Sequence, residues 1–203
     1  MELLVWLENT GFGIWMREAD YLYSLFPYTF VLAMHTVGLA LLVGPKVAID
    51  LRILGVAPSL PLAPMEPFFR LMWTGFWLNA VTGVILIPGF AIIRLTDPVF
   101  YIKLAIIALA IVNLRSTYRE VFRGGSDSRQ PSARAKVQAV TSLGLWTAAI
   151  VTGRLLGYEY SPFVRWAALR VFVITAIAIA VIGAGGFMAA RSLGWSKAVR
   201  QRG

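Results

Sequence analysis

"FVLAMHTVGLALLVG", residues 30–44, is an apolar run of membrane-spanning character, and inside it sits His35, the only histidine of the chain. Whether the protein is a membrane bundle turns on how often such runs recur. They recur over segments 22–44, 67–92, 98–118, 137–157 and 163–190. Each is close to the roughly 20 residues that a helix rising about 1.5 Å per residue needs to cross a hydrocarbon layer about 30 Å thick. The 203 residues are 58% hydrophobic and 14% charged, with a mean hydropathy of +0.71, too apolar for a soluble domain. Backbone polar groups must be paired within lipid, and the runs lack the alternation of a barrel strand, so they are predicted to be helices. The expected fold is all-α, an integral membrane bundle of about five transmembrane helices. Residues 1–21 are an interfacial amphipathic segment, 22–158 a four-helix core, and 159–203 an additional helix with a basic tail.

Local signals mark the ends of these runs. Asp97-Pro98 and Ser161-Pro162 each offer a capping side chain before a proline at the first helical position, where a missing N–H costs nothing. Gly124-Gly125, followed by "SDSRQPSARAK", ends the third helix in a polar loop. In "APSLPLAPMEPFF", Pro58, Pro61, Pro64 and Pro67 recur every third residue, the period of polyproline II, which predicts a stiff extended connector onto the second helix. The opening "MELLVWLENTGFGIWMREADYLY" lacks a basic n-region and reads as a retained interfacial helix, with Trp6, Trp15, Tyr21 and Tyr23 at headgroup level. With no cysteine there is no disulfide, iron–sulfur or thiol chemistry.

Thirteen of the nineteen Lys and Arg residues fall in loop 115–136, in the tail after residue 190, or between the first two helices. Segment 1–20 carries Glu2, Glu8, Glu18 and Asp20 against Arg17 alone. The positive-inside bias therefore places the N-terminus outside and the C-terminus in the cytoplasm of a bacterial inner membrane. The net charge of +9 reports this topology and an attraction to membrane lipid; no basic face interleaved with exposed aromatics points to nucleic acid.

Polar groups inside a membrane are functional candidates. His35, Asn79 and Asn113 each lie about 20 Å from the outer ends of their helices, and are expected to meet and satisfy one another across the bundle. At the outer interface Glu18, Asp20, Arg94, Asp97, Lys103, Arg154 and Glu159 come to one level, either as an ion-pair belt or as a pocket where Arg94 or Arg154 holds an anion, a quinone carbonyl or a lipid headgroup. Lys46 and Asp50, one helical turn apart with Arg52 beside them, can pair at the inner side. The candidate cofactor-binding residues are thus His35, Asn79, Asn113, Arg94 and Arg154. No metal site is expected, because no carboxylate shares the depth of His35.

Arg17-Glu18, His35 with Gly38 and Gly44, "DLRILG" at 50–55, Trp73 with Gly75-Phe76 and Thr82-Gly83, "DPVFYIK" at 97–103, Asn113 and Gly153-Arg154 occur in this order over residues 5–158. The set resembles a family of small bacterial inner-membrane proteins catalogued as a domain of unknown function. That resemblance implies a four-helix membrane core and no assigned activity. A looser similarity to copper-resistance-D-like and cytochrome-b-like four-helix membrane proteins implies His35 as a candidate ligand. Some relatives have a further histidine where this chain has Leu114-Arg115, which weakens haem here, and the fifth helix is an addition. On that helix Ala176, Ala180 and Ala184 form a small-residue stripe suited to close packing on its own bundle, a second copy or another membrane subunit.

Two functional classes follow. One is a non-enzymatic membrane subunit, self-associating or accessory to a larger bioenergetic complex, with no cofactor. It is favoured because no constellation of nucleophile, base and oxyanion donor is visible. The other is a redox membrane protein that carries haem b or contacts quinone through His35, for which a single histidine cannot provide paired axial ligation within one chain. A transporter ranks third, since there is no repeated pair of broken helices. Because the chain has no cysteine, single cysteines at Asn9 and Ser126 should react with a membrane-impermeant thiol reagent from opposite sides, and same-side labelling overturns the topology.

Overall fold

The computed structural model describes residues 1–22, 27–123, 131–158, 163–171, 173, 174 and 177, the side chains of residues 20–22 excepted. Every regular element among them is helical. Two short helices, α1 (Glu2–Glu8) and α2 (Gly11–Leu22), precede the long α3 (Pro27–Ile53). A loop with a 3-10 turn at Ala63–Met65 leads to α4 (Phe68–Ile85), and a second 3-10 turn at Pro88–Phe90 leads to the short α5 (Ala91–Thr96). Then α6 (Pro98–Tyr118) runs into a π-helical turn, Arg119–Arg123, and α7 (Ala133–Leu155) ends in a 3-10 turn at Leu156–Tyr158. Residues 163–171 are again helical.

Among the described residues three helices are long and apolar enough to cross a membrane, Pro27–Ile53, Pro98–Arg123 and Ala133–Tyr158. Ala63–Ile85 and Pro88–Thr96, bent by 45°, make a fourth if taken as one span. These match the first four expected runs. The fifth begins at 163–171; its small-residue stripe and the basic tail lie outside the described residues, as do Gly124-Gly125 and Ser161-Pro162. Apolar side chains fill the core and also cover much of the outside, while several polar ones are buried. Lys46, Asp50, Thr117 and Ser142 are fully buried, while Val84 and Val112 are 66% exposed and Trp77 62%. A broad apolar exterior around an apolar core, with a few charged and hydroxyl groups buried between helices, is an arrangement a hydrocarbon solvent tolerates, compatible with a membrane protein.

The element ends show where local signals hold. Asp97 caps α6 as expected, its carboxylate accepting from Val99 N–H at 2.9 Å with Pro98 at the first helical position. Ser132 caps α7 through Ala135 N–H at 3.1 Å. The second run does not continue unbroken to residue 92. It stops at Ile85, ahead of Pro88, which has no N–H to give to the Val84 carbonyl in a continued helix. The first helix, expected to close at Gly44, continues through Pro45 to Ile53. One proline removes one backbone bond, and the segment beyond it recovers burial: Lys46, Ile49, Asp50, Arg52 and Ile53 are all buried.

The proline-rich connector also departs from expectation. Leu62, Glu66 and Pro67 have right-handed helical backbone angles, and turn bonds such as Met65 N–H to Leu62 C=O at 2.8 Å run through it. Polyproline II has no internal hydrogen bonds to offer. Here the Arg52 guanidinium, at the end of α3, bonds the carbonyl of Leu60 and, at 3.0 Å, that of Pro58, folding the loop back beneath the helix with Leu62 buried.

Helix α3 packs chiefly on α4, α6 on α7, and α3 also on α7, while α1 and α2 lie across the Pro88–Phe90 turn, α5 and the start of α3. The closest approach is between Gly38 and Gly75. A Cβ on Gly38 would stand 2.7 Å from Asn79 N, and one on Gly75 would stand 2.7 Å from Gly38 O. Both obstacles are backbone and cannot rotate away. Gly38→Val or Gly75→Val is therefore expected to lower stability in detergent by about 1–3 kcal/mol, the usual cost of overpacking, read as a fall in the midpoint of thermal unfolding. Wild-type melting of either variant would show that the backbones do not touch.

Candidate functional site

His35 lies on α3 three residues before Gly38, so the same close approach brings its ring to α4. Thr82 on α4 donates its hydroxyl hydrogen to Leu78 C=O at 2.6 Å and so presents a lone pair to His35 Nδ1 at 3.1 Å. That bond assigns the proton to Nδ1. Nε2 makes no hydrogen bond among the described residues. Asn79 is at the same seam, but its side chain donates to the His35 backbone carbonyl at 2.8 Å and not to the ring. Gly83, next to Thr82, leaves room for the imidazole: a Cβ there would be 3.2 Å from His35 Cε1.

The expected meeting of three polar groups is thus divided between two seams. Asn113, on α6, donates to Gln138 C=O of α7 at 3.1 Å, with Gln138 Nε2 bonding Ser116 Oγ at 2.7 Å. It belongs to the α6–α7 contact, because Gln138 on the neighbouring helix supplies the partner that its level alone could not identify. Thr82, named in the sequence only as part of a motif, is the partner of His35, an acceptor whose mild hydropathy hides it inside an apolar run. The "TG" of Thr82-Gly83, one helical turn beyond Asn79, is the signal that was there to be used.

At the α3 N-terminal end, Arg94 bonds Tyr28 Oη at 3.3 Å and lies 5.8 Å from the Phe90 ring centre, with its Nε buried and unpartnered among the described residues. Lys103, on α6 against Gly153 of α7, has no hydrogen-bond acceptor among the described residues. Both cations are within electrostatic range of His35. The expected ion-pair belt is only partly present. Asp97 holds Arg165 through both oxygens, at 2.6 and 3.3 Å, Arg17 pairs with Glu18 at 3.4 Å, and Glu8 accepts from Ile92 N–H at 2.7 Å. The Asp20 side chain and Glu159 lie outside the described residues. Arg154 is exposed and stacks on Tyr158 at 5.8 Å, apart from any enclosed site in the described structure.

A haem fits these donors poorly within one chain. Met72 is fully buried in the core and lies ten residues, about 15 Å of helix, from Thr82; Met34 adjoins His35 on the same helix and cannot oppose it. Among the described residues no three His, Asp or Glu side chains come together as a metal-binding set.

At the other end of α3, Lys46 and Asp50 form the expected ion pair, fully buried. Ser142 of α7 stands close to the carboxylate without closing a good hydrogen bond. Asp50 Oδ2, Ser142 Oγ and, one turn along α7, Trp146 Nε1 are buried with no partner among the described residues. The arrangement defines a class of protein, a helical bundle compatible with a membrane that carries a few polar and charged side chains on its helix–helix seams. No family model, curated protein or solved structure matches the chain.

Removing one partner of a buried ion pair leaves an uncompensated charge, typically a loss of 3–5 kcal/mol. Asp50→Ala should therefore unfold far below wild type, and Lys46→Met combined with Asp50→Leu should recover most of the difference in the same thermal assay. A double variant no better than Asp50→Ala would mean that the pair does more than neutralise itself.

Proposed function

We propose that this chain is a non-enzymatic, multi-pass subunit of the bacterial inner membrane, in the family it resembles, with the N-terminus outside and the C-terminus cytoplasmic. It self-associates or serves a larger bioenergetic complex. The observation that supports this reading most is the use of His35: its ring is tethered to Thr82 and its carbonyl to Asn79, so the residue works as a lock between α3 and α4. The exposed apolar residues of α3, α4 and α6, such as Phe30, Trp77, Leu109 and Val112, suit lipid and the helices of another subunit alike.

A quinone-linked or haem b role is the second reading, and one feature favours it. An imidazole held through Nδ1–H keeps the Nε2 lone pair for a ligand, and Arg94 and Lys103 are close enough to bear on it electrostatically. The visible spectrum and extractable quinone of the purified protein, compared with those of His35→Ala, separate the two. The subunit reading expects a colourless protein, no bound quinone, a lowered melting temperature for the variant, and assembly above the monomer by light scattering or co-purification. A Soret band or stoichiometric quinone that is lost with His35 puts the second reading first.

A further inference from the structure

At the end of the bundle where α3 finishes, Arg115, Arg119 and Arg123 follow one another at four-residue intervals, and Arg70 and Trp73 face them from α4. Together they border a cavity of about 670 Å³ whose floor includes Phe69, Leu114 and Tyr118. We propose that this basin binds the phosphate-bearing headgroup of an anionic phospholipid.

The chemistry of the lining points to phosphate. None of the four guanidinium groups has a carboxylate partner among the described residues, and all four side chains are exposed. The one carboxylate on the rim, Glu66, accepts from Tyr118 Oη at 2.9 Å. Two of the arginines are pre-oriented. Arg115 lies 5.0 Å from the Trp73 ring centre and Arg123 5.6 Å from that of Tyr118. A guanidinium stacked on an aromatic face keeps its N–H edges free, the geometry for bidentate capture of phosphate oxygens. The π-helical turn at Arg119–Arg123 contributes here, since its wider i to i+5 spacing sets Arg123 against Tyr118.

The position selects lipid over a soluble phosphate compound. The basin lies at the ends of α4 and α6, which places it at headgroup level if the chain spans a membrane, the reading on which this inference rests. Exposed Val112, one turn deeper than Arg115 on α6, continues from it along the bundle, where acyl chains would run. Basic pockets between helices on the cytoplasmic side are where anionic headgroups are recognised, and the charge bias of the sequence assigns this end to the cytoplasm.

The test is native mass spectrometry of the full chain, released from detergent with phosphatidylglycerol, cardiolipin or phosphatidylcholine added. Phosphatidylglycerol or cardiolipin should bind in defined stoichiometry and phosphatidylcholine should not. Arg115→Gln with Arg119→Gln should weaken anionic-lipid binding about tenfold or more. Arg134→Gln with Lys136→Gln removes the same charge from exposed sites near the same end but outside the basin, and should leave binding within about twofold. If the double variant does not fold, Arg119→Gln alone carries the comparison, since its side chain has no assigned bond. Equal weakening by both pairs, or equal binding of phosphatidylcholine, overturns the site. Tight binding of inorganic phosphate that displaces the lipid overturns the lipid assignment and leaves a soluble phosphate site.

Discussion

The contact between the α3 and α4 backbones at Gly38 and Gly75 is the constraint from which the rest of this architecture follows. Lipid gives helices no hydrophobic reason to associate, so packing and interhelical hydrogen bonds must hold them together, and both fall off steeply with distance. With no Cβ between them the two helices come close enough for Asn79 to reach the carbonyl of His35 and for the His35 ring to reach Thr82. Had either glycine carried a side chain, a backbone atom under 3 Å away would force the axes apart. The two short-reach polar contacts on the same seam would then open with it. Glycine and polar residues on this seam are therefore one device, the first setting the distance and the second using it.

Polar groups are distributed accordingly. The Lys46–Asp50 pair stabilises nothing by itself relative to an apolar core, since desolvating two charges offsets most of their attraction. It does dictate orientation. Once α3 carries these charges beyond Pro45, that face cannot turn toward hydrocarbon, and the bundle must cover it, which α7 does with Ser142 and Trp146. At this contact three buried polar atoms have no partner among the described residues, whereas the α3–α4 seam is closed by the His35–Thr82 and Asn79–His35 bonds.

Much of this was legible in the sequence, and what was not has physical causes. The helical class and the apolar runs followed from composition, and the start of α6 from Asp97-Pro98, because a cap is a local interaction between neighbouring residues. The far end of α3 was not, because Pro45 and Lys46 both signal termination locally while their burial is decided by α7, about a hundred residues away. The connector after α3 misled for a similar reason: a three-residue proline period is a backbone preference, and the Arg52 side chain overrode it by bonding two carbonyls. At the candidate site His35 was recognisable as unusual, but depth along a helix fixes only one coordinate. Rotation about the axis decides that Thr82 and not Asn79 or Asn113 meets the ring. Arg115, Arg119 and Arg123 carry a topology signal in their charge; their four-residue spacing also brings them to one side of the chain at the end of α6, the feature that turns a charge count into a binding surface.

The two ends of the bundle are built for different exchange with their surroundings. Beside Arg94 the amino-terminal helices form a cover: α2 packs against the Pro88–Phe90 turn, and Glu8 of α1 accepts from the Ile92 N–H at the start of α5. Anything reaching His35 from that end must pass beneath α1 and α2 or arrive sideways from lipid. At the opposite end the connector is drawn tight under α3 by Arg52, and the space it leaves between α4 and α6 stays open, lined by guanidinium groups whose charge is unneutralised among the described residues. An exposed guanidinium is open to any anion that comes within about a Debye length, whereas an imidazole packed in a seam meets only what the seam admits. The covered end is thus organised for holding its helices together, and the open end for contact with what lies outside the chain.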